Sequence, residues 1–266
     1  MKISIIGCGN IGRTIIKAVS EGIINCEITG VFDINDEGFK KIPEEIPENL
    51  KLNSKFTENF SEFLQFDSEL VIEAASQKAV QNFALNILNS NKNLMIMSIG
   101  ALVDKELFEN MKKIADENNL KIYIPSGAVV GLDGIAAAKI GGINEVMITT
   151  RKSPGSLGIK SSRDDKERII YEGFADEAVK LFPKNVNVAA AVSLAGIGFE
   201  KTKVRIIADP KVKNNIHEIH VKGAFGEIKT RAENVPSPDN PKTSYLASLS
   251  AIATIKKIAG NVRIGG

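Results

Sequence analysis

The chain opens with KISIIGCGNIGRTIIKAV (Lys2–Val19), and this stretch decides how the first half of the protein folds. Its first part, Lys2–Gly7, is a β-branched, almost continuously apolar run that ends in glycine, which is typical of a buried parallel strand. Glycines follow at positions 7, 9 and 12, and apolar residues then recur at helical spacing until Gly22. The sequence therefore predicts a strand, a glycine-rich turn and a helix in that order.

The three glycines of this turn meet different physical needs. The first permits a tight turn, the second lets a phosphate approach the backbone, and the third lets the helix pack close to the sheet. The N–H groups and the positive dipole end of the following helix attract a pyrophosphate. The spacing predicts a dinucleotide site formed by Gly7, Gly9, Asn10, Ile11 and Gly12; the alternative is a glycine turn that binds nothing.

An acidic residue follows at the distance that such a site requires. The second predicted strand, EITGVFD (Glu27–Asp33), ends in Asp33, about 20 residues after the last glycine, where a carboxylate hydrogen-bonds the adenosine ribose. Because a carboxylate repels a 2′-phosphate, Asp33 favours NAD, with NADP possible. We interpret Cys8, inside the turn, as a small residue that fits there rather than as a nucleophile.

Composition and charge restrict the class of protein. Of 266 residues, 43% are hydrophobic and 25% are charged, as in ordinary globular proteins. The net charge of +2 and the scarcity of aromatic residues do not suggest a nucleic-acid partner. The two cysteines lack Cys or His neighbours at metal-ligand spacing, so we expect no metal. Without a signal-like start or a long apolar run, we expect a cytoplasmic protein that does not enter a membrane.

Strand-like and helix-like segments continue to alternate through the first half. We predict strands at ELVIEAAS (Glu69–Ser76), LMIMSIGAL (Leu94–Leu102) and KIYIPSGAV (Lys121–Val129), with helices between them. Alternation of this kind predicts an α/β fold, a Rossmann doubly wound parallel sheet covering residues 1–130. Small residues at the strand ends, such as Ala75, leave room for a cofactor; tight packing of the chain is the alternative for each.

After residue 130 the pattern changes to that of a smaller α+β domain for substrate binding and oligomerisation, which we place at residues 131–238. It contains several strand-like segments, including a predicted hairpin around Gly223–Gly226, and an Ala-rich, buried helix at Asn185–Gly198. Residues 239–266 are predicted to form a proline-rich connection and then a helix, from about Thr243 to Ile258, that returns to the first domain. We expect Leu246, Leu249, Ile252, Ala253 and Ile255 to form the buried stripe of that helix.

Both histidines of the chain lie in one predicted strand, IHEIHVKG. Because side chains alternate along a strand, His217 shares the apolar face with Ile219 and Val221, whereas His220 lies on the polar face. A buried imidazole can serve in proton transfer near neutral pH. From the pattern alone, however, a hydrogen-bonded core histidine is the favoured interpretation of His217, and a surface residue that of His220.

A series of motifs along the whole chain adds more specific information. In order, these are MSIGAL, IPSGAVVGLDG, TTRK, FPKNVNVAAAVSLAG, KVRIIADP, NNIHEI and NPKTSYLASLSAIATI. Together they resemble the L-aspartate dehydrogenases, which oxidise L-aspartate to iminosuccinate with NAD or NADP. In that family the imine feeds pyridine-nucleotide synthesis or hydrolyses to oxaloacetate and ammonia. The resemblance implies that His217 is catalytic, that Ala128 and Asn187 contact the dinucleotide, and that the protein is a homodimer or a higher homo-oligomer.

A dicarboxylate substrate would need cations, and the sequence leaves their identity open. Arg151, Lys152, Arg163 and Lys242 are candidates, although a solvated charge is the simpler interpretation of each. Two rival functions also stay open. One is a two-domain NAD(P)-dependent dehydrogenase or reductase of another small acid, and the other is a non-catalytic NAD(H) sensor.

Overall fold

The computed structural model describes residues 1–159, 166–183, 186–238 and 240–265. The chain falls into two units, Met1–Pro125 with Ala251–Ile264, and Ser126–Ser250 with Gly265. The first limit lies close to the boundary that we predicted after residue 130, and the second lies within the predicted C-terminal segment 239–266. No helix among the described residues is long and apolar enough to cross a membrane.

Unit 1 contains a six-stranded parallel sheet in the order β3-β2-β1-β4-β5-β6. This is the strand order of a Rossmann fold, and it confirms the predicted fold class. The strands are β1 (Lys2–Ile6), β2 (Glu27–Phe32), β3 (Phe56–Thr57), β4 (Leu70–Glu73), β5 (Asn93–Ile96) and β6 (Ile122–Tyr123). The helices are α1 (Asn10–Ser20), α2 (Glu45–Asn49), α3 (Phe60–Phe63), α4 (Gln77–Asn89) and α5 (Lys105–Glu117).

The sheet of unit 1 is held by a core of branched aliphatic side chains. Ile3 and Ile5 of β1 and Ile15 and Ile16 of α1 are fully buried, which agrees with the apolar pattern of the opening stretch. Burying one such side chain stabilises the fold by about 1.5–3 kcal/mol. The strand β1 thus lies in the centre of the sheet, and the glycine turn that follows it is held at the carboxyl edge.

Unit 2 contains a five-stranded mixed sheet in the order β11-β10-β7-β9-β8 and a small hairpin of β12 and β13. The strands are β7 (Ile143–Lys152), β8 (Arg168–Phe174), β9 (Lys203–Ala208), β10 (Asn215–Gly223), β11 (Gly226–Asn234), β12 (Pro236–Ser237) and β13 (Asn240–Ser244). The helices are α6 (Leu132–Gly141), α7 (Pro154–Leu157), α8 (Ala175–Leu181) and α9 (Asn187–Ala195). A last helix, α10 (Tyr245–Ala259), begins in unit 2, and its residues from Ala251 onward belong to unit 1. Helices α6 and α9 pack against each other and against β10 and β7 respectively.

Several predicted elements have other bounds in the structure. The strand predicted at Leu94–Leu102 ends at Ile96, and a 3₁₀ helix covers Ile99–Val103. The strand predicted at Lys121–Val129 is confined to Ile122–Tyr123, and the chain then turns at Gly127, which has φ +64°. Short apolar runs do not distinguish a strand from a buried turn, which explains both errors.

The C-terminal region departs from the sequence prediction in two ways. The proline-rich connection includes the hairpin of β12 and β13, and α10 begins at Tyr245 instead of Thr243. The buried side of α10 carries Ser248, Ala251 and Ile255, whereas Leu249 and Ala253 of the predicted stripe are exposed. The apolar residues of α10 are distributed around the whole helix axis, so their spacing could not indicate which face is buried.

Candidate active site

The glycine turn of unit 1 has the backbone geometry that only glycine allows. Gly7 has φ +99°, and a Cβ there would lie 2.8 Å from the Cβ of Ala75. The amide of Gly7 donates to the carbonyl of Phe32, 2.8 Å away, which fixes the turn beside β2. A Cβ on Gly12 would lie 1.9 Å from the carbonyl oxygen of Gly7, so α1 can approach the turn only because this residue is glycine.

The N-terminus of α1 fits a phosphate group. The N-cap residue is Gly9, and no side chain caps the helix. A Cβ on Gly9 would have the Ala74 carbonyl oxygen, 3.9 Å away, as its nearest neighbour, so the space above this backbone is open. Asn10 and Ile11 form the first residues of the helix and are half-buried. Backbone N–H groups beside open space at a helix N-terminus form an anion-binding cradle.

Asp33 is held against this turn. Its Oδ2 accepts a hydrogen bond from the amide of Cys8 at 2.7 Å, and its Oδ1 accepts one from the amide of Ile34 at 2.8 Å. The guanidinium of Arg13 donates to the Cys8 carbonyl at 2.9 Å. The acidic side chain is therefore oriented before any ligand binds. Burial raises the pKa of the Cys8 thiol to about 12, which argues against a nucleophilic thiolate.

Glu73 organises this edge, a role that the sequence pattern did not predict. Its side chain is buried at the end of β4 and accepts hydrogen bonds from the amides of Ala75, Ser76 and Ser98 and from the Ser98 hydroxyl, at 2.8–3.0 Å. Burial raises the pKa of Glu73 despite these donors. The carboxylate thus ties together the segments after β4 and β5. An acid at the end of an otherwise apolar strand was the available signal, but we interpreted that run only through its small residues.

In unit 2, His217 lies on the inner face of the sheet, as its position in the alternation predicted. It is 2% exposed, and Nδ1 of its ring lies 3.0 Å from Oγ1 of Thr150, its neighbour on β7. Burial and, to a smaller extent, the positive charge of Lys152 together lower the pKa of His217 to about 3. The imidazole is therefore neutral at physiological pH. His220 points to the other face and pairs with Glu227.

Two of the four candidate cations, Arg151 and Lys152, lie within the described residues, and their environments differ. Lys152 is 5% exposed on the same face as Thr150, and burial lowers its pKa to about 8. Arg151, next to it on β7, pairs with Asp209 at 2.8 Å and with Glu167. Arg163 and the side chain of Lys242 lie outside the described residues. Of the two described cations, Lys152 shares the face of His217.

Ala128 and Asn187, which the family resemblance implied as dinucleotide contacts, also lie in unit 2. Ala128 is buried in a turn, and its carbonyl oxygen accepts a hydrogen bond from Nδ2 of Asn234 at 3.0 Å. Asn234 is paired in register with Asn215, two residues before His217. Asn187 is the first residue of α9 and is half-buried. Ala128 is thus hydrogen-bonded to β11, and Asn187 begins a helix that packs on β7. Both strands are neighbours of β10, which carries His217.

The predicted site residues therefore form two groups. In unit 1 the carboxyl edge of the parallel sheet brings together Gly7, Gly9, Asn10, Ile11, Gly12, Asp33 and Ala75. In unit 2 lie Ala128, Asn187 and His217. Within the described ranges, no group of three or more His, Cys, Asp or Glu side chains could hold a metal ion.

Comparisons with known proteins agree with this division. The family model of the homoserine dehydrogenase NAD-binding domain matches residues 7–125, and that of the aspartate dehydrogenase C-terminal domain matches residues 133–258. An L-aspartate dehydrogenase of Methanosarcina barkeri is 49% identical over 100% of this chain and 99% of its own length. One of Methanothermobacter thermautotrophicus is 42% identical, with 100% and 98% covered.

Solved structures show the same relation. The aspartate dehydrogenase of Thermotoga maritima has a TM-score of 0.78 and 30% identity, and 100% of this chain and 99% of that one are covered. The scyllo-inositol dehydrogenase of Lactobacillus casei, solved with NAD(H) and scyllo-inositol, has a TM-score of 0.59 at 13% identity, with 100% and 91% covered, and shares only the fold.

Fold, glycine turn and second unit together define a two-unit dehydrogenase that uses a nicotinamide cofactor. The coverage and identity of the relatives make the family specific: the chain belongs to the aspartate dehydrogenase family. It is therefore an oxidoreductase.

Proposed function

We propose that this protein oxidises L-aspartate to iminosuccinate with NAD, and that the imine then hydrolyses to oxaloacetate and ammonia. The observation that carries the proposal is a neutral, buried histidine, His217, on the inner face of unit 2. Relatives that carry the name L-aspartate dehydrogenase match the whole chain and support the choice of substrate.

A neutral imidazole suits the proton transfer that this reaction needs. The substrate amine must lose its proton, because the nitrogen lone pair forms the C=N bond as hydride leaves the α-carbon. When Nδ1–H of His217 donates to Oγ1 of Thr150, Nε2 keeps its lone pair and accepts the proton of the substrate ammonium. The bound nicotinamide supplies the hydride acceptor. Thr150 thus acts as a positioning residue that selects the tautomer.

The low pKa of His217 sets a condition on this step. In the free protein a proton on the ring is disfavoured by burial and by the positive charge of Lys152. An anionic substrate offsets that charge, and the protonated imidazole becomes less costly. Proton transfer to His217 is therefore favoured with the dicarboxylate present and suppressed without it.

The preference for NAD rests on Asp33. The amides of Cys8 and Ile34 hold its carboxylate in place. There it would accept hydrogen bonds from the ribose hydroxyls of NAD and would repel the 2′-phosphate of NADP. The variant Asp33→Asn should reduce the ratio of kcat/KM for NAD to that for NADP by about tenfold or more. An unchanged ratio would contradict the role of Asp33 without touching the identity of the substrate.

The central experiment follows NADH formation from NAD with a panel of L-amino acids. We expect turnover with L-aspartate above all others, and a decrease in kcat of about 10²–10⁴-fold in His217→Asn. The matched control is His220→Asn, three residues away on the other face of the same strand, which should keep wild-type kcat. The proposal would be refuted if L-aspartate is not turned over and if oxaloacetate and ammonia do not react in the reverse direction.

Two further parts of the proposal concern the protein in the cell. By its family resemblance, the protein works as a homodimer or higher homo-oligomer, and light scattering of the purified protein tests this. By the same resemblance, the imine enters pyridine-nucleotide synthesis. The corresponding measurement adds the enzyme that consumes the imine and compares two rates. Consumption of the imine should be faster than its hydrolysis to oxaloacetate.

A further inference from the structure

The inner face of the second sheet changes from apolar to polar toward one end. On β7 the buried side chains are Val146 and Ile148, and then Thr150 and Lys152. On β10 the corresponding series is Val221 and Ile219, and then His217 and Asn215. Because β7 and β10 are antiparallel neighbours with Thr150 opposite His217, the polar halves of both series meet at one end of the sheet.

Lys152 is the charged member of this polar end. It lies two residues beyond Thr150 on the same face, which corresponds to about 7 Å along the strand. A lysine side chain is long enough to cover much of this distance, so its ammonium can lie close to a ligand that also contacts His217. Its adjacent residue Arg151 points to the opposite face and is paired with Asp209, so it does not offer its charge on the inner face.

We propose that Lys152 binds a carboxylate of the dicarboxylate substrate in the site that contains His217. This inference rests on the proposed function, since it names the residue that recognises the acidic part of the substrate. Neither the family relation nor the names of the relatives assigns this role to Lys152.

The energetics of burial support the proposal. A buried ammonium is costly, and here burial lowers the pKa of Lys152 to about 8. A carboxylate that binds beside it regains part of that cost through a charge-assisted hydrogen bond. The same carboxylate reduces the field of Lys152 at His217, which is one cause of the low pKa of the histidine. Substrate recognition and activation of the base are thereby coupled.

The chain offers a second buried lysine for comparison. Lys92, in unit 1, is 8% exposed, and its ammonium donates to the carbonyl oxygens of Phe66 at 2.7 Å and Ser68 at 3.3 Å. Burial lowers its pKa as well. Lys92 therefore controls for the general effect of removing a buried ammonium, because its contacts are with the backbone of the loop between α3 and β4 in unit 1.

The experiment measures binding of three ligands to the protein loaded with NADH, so that no turnover occurs. The ligands are L-aspartate, L-asparagine, which lacks the side-chain carboxylate, and L-isoasparagine, which lacks the α-carboxylate. The proteins are wild type, Lys152→Met and Lys92→Met, with isothermal titration calorimetry as the readout. Thermal unfolding and the Kd for NADH check that each variant is folded.

We expect Lys152→Met to weaken binding of L-aspartate by about 10- to 100-fold, which is the usual effect of losing a charged hydrogen bond. For one of the two amides the variant and the wild type should bind equally. If wild type and Lys152→Met bind L-asparagine with the same Kd, Lys152 contacts the side-chain carboxylate. If they bind L-isoasparagine with the same Kd, Lys152 contacts the α-carboxylate. Lys92→Met should bind all three ligands as the wild type does.

Two results would overturn the inference: unchanged affinity for L-aspartate in Lys152→Met, or an equal loss for all three ligands, which indicates a structural effect. Turnover of the wild type separates the two proposals. If L-aspartate is oxidised while Lys152→Met binds it normally, only the role of Lys152 is wrong. If L-aspartate binds through Lys152 but is not oxidised, only the proposed function is wrong; if it neither binds nor reacts, both are wrong.

Discussion

The two units present their functional groups in different ways. At the carboxyl edge of the first sheet, the candidate cofactor site consists mainly of backbone amides and of residues without a side chain, such as Gly9 and Gly12. On the inner face of the second sheet, the site consists of buried ionisable side chains, His217 and Lys152. The first arrangement depends on space, and the second depends on charge. Mutations and pH should therefore affect them differently.

The largest effect is expected from pH acting on His217. Its pKa is about 3 in the folded protein and about 6.5 in an unfolded chain, so between these values only the unfolded state binds the proton. The free energy of unfolding should therefore fall as the pH decreases from 6.5 to 3, by on the order of 5 kcal/mol in total and about 3 kcal/mol at pH 4.5. Urea unfolding of wild type and His217→Asn at pH 7 and pH 4.5 measures this contribution.

His220→Asn is the control for that experiment, because His220 lies on the exposed face of the same strand. It should keep the pH dependence of the wild type, whereas His217→Asn should lose most of it. Equal dependence in wild type and His217→Asn would contradict the buried, neutral state of the ring.

The next effect tests whether the first unit also depends on a buried charge. In Glu73→Gln, the amide nitrogen of glutamine would face a group that donates a hydrogen bond to the carboxylate, such as the amide of Ser98. Two donors would then face each other without an acceptor. We expect a loss of about 2–3 kcal/mol in stability and weaker binding of NADH, because the segment of Ala75 and Ser76 loses its anchor. Chemical denaturation and NADH fluorescence measure the two quantities.

Glu69 provides the matched control for Glu73. It lies just before the other end of β4, is exposed, and accepts a hydrogen bond from the amide of Lys2 at 2.9 Å. Glu69→Gln should change stability by less than about 0.5 kcal/mol and leave NADH binding intact. If the two substitutions have equal effects, Glu73 does not organise the cofactor edge.

Two of the three glycines of the turn, Gly9 and Gly12, should respond differently to an added Cβ. In Gly12→Ala the added Cβ meets the Gly7 carbonyl, and we expect a loss of about 1–3 kcal/mol together with weaker NADH binding. In Gly9→Ala the Cβ meets no atom closer than 3.9 Å, so stability should stay near wild type while NADH binding still weakens. Normal NADH binding by Gly9→Ala would argue against a phosphate above this backbone.

The smallest effect is expected on the outer face of the second sheet. Arg205 and Glu172 form an exposed pair across β9 and β8, with nitrogen–oxygen distances of 2.9 and 3.0 Å. Arg205→Gln should lower stability by less than about 1 kcal/mol, and by still less in high salt, because water screens such pairs. Thermal unfolding at two salt concentrations tests this contrast with the buried inner face.

Much of this molecule follows from local patterns in the sequence. Alternating strands and helices predicted the parallel sheet, and the period of two along β10 placed His217 inside and His220 outside. Periodicity failed where apolar residues gave no direction, as in α10, where Leu249 is exposed and Ser248 is buried. It also missed β8, the edge strand Arg168–Phe174, whose residues are all exposed or half-buried.

The sequence by itself therefore determined the glycine turn, the acid Asp33 that follows it, and the face of His217. Each of these depends on spacing along a single element, which the order of residues records directly. Only the tertiary structure decided that Glu73 accepts four hydrogen bonds and that Lys152 shares a face with His217. Those relations join segments 25 and 65 residues apart, and they depend on strand order and register. Such pairings arise when the sheets assemble, and so no local pattern contains them.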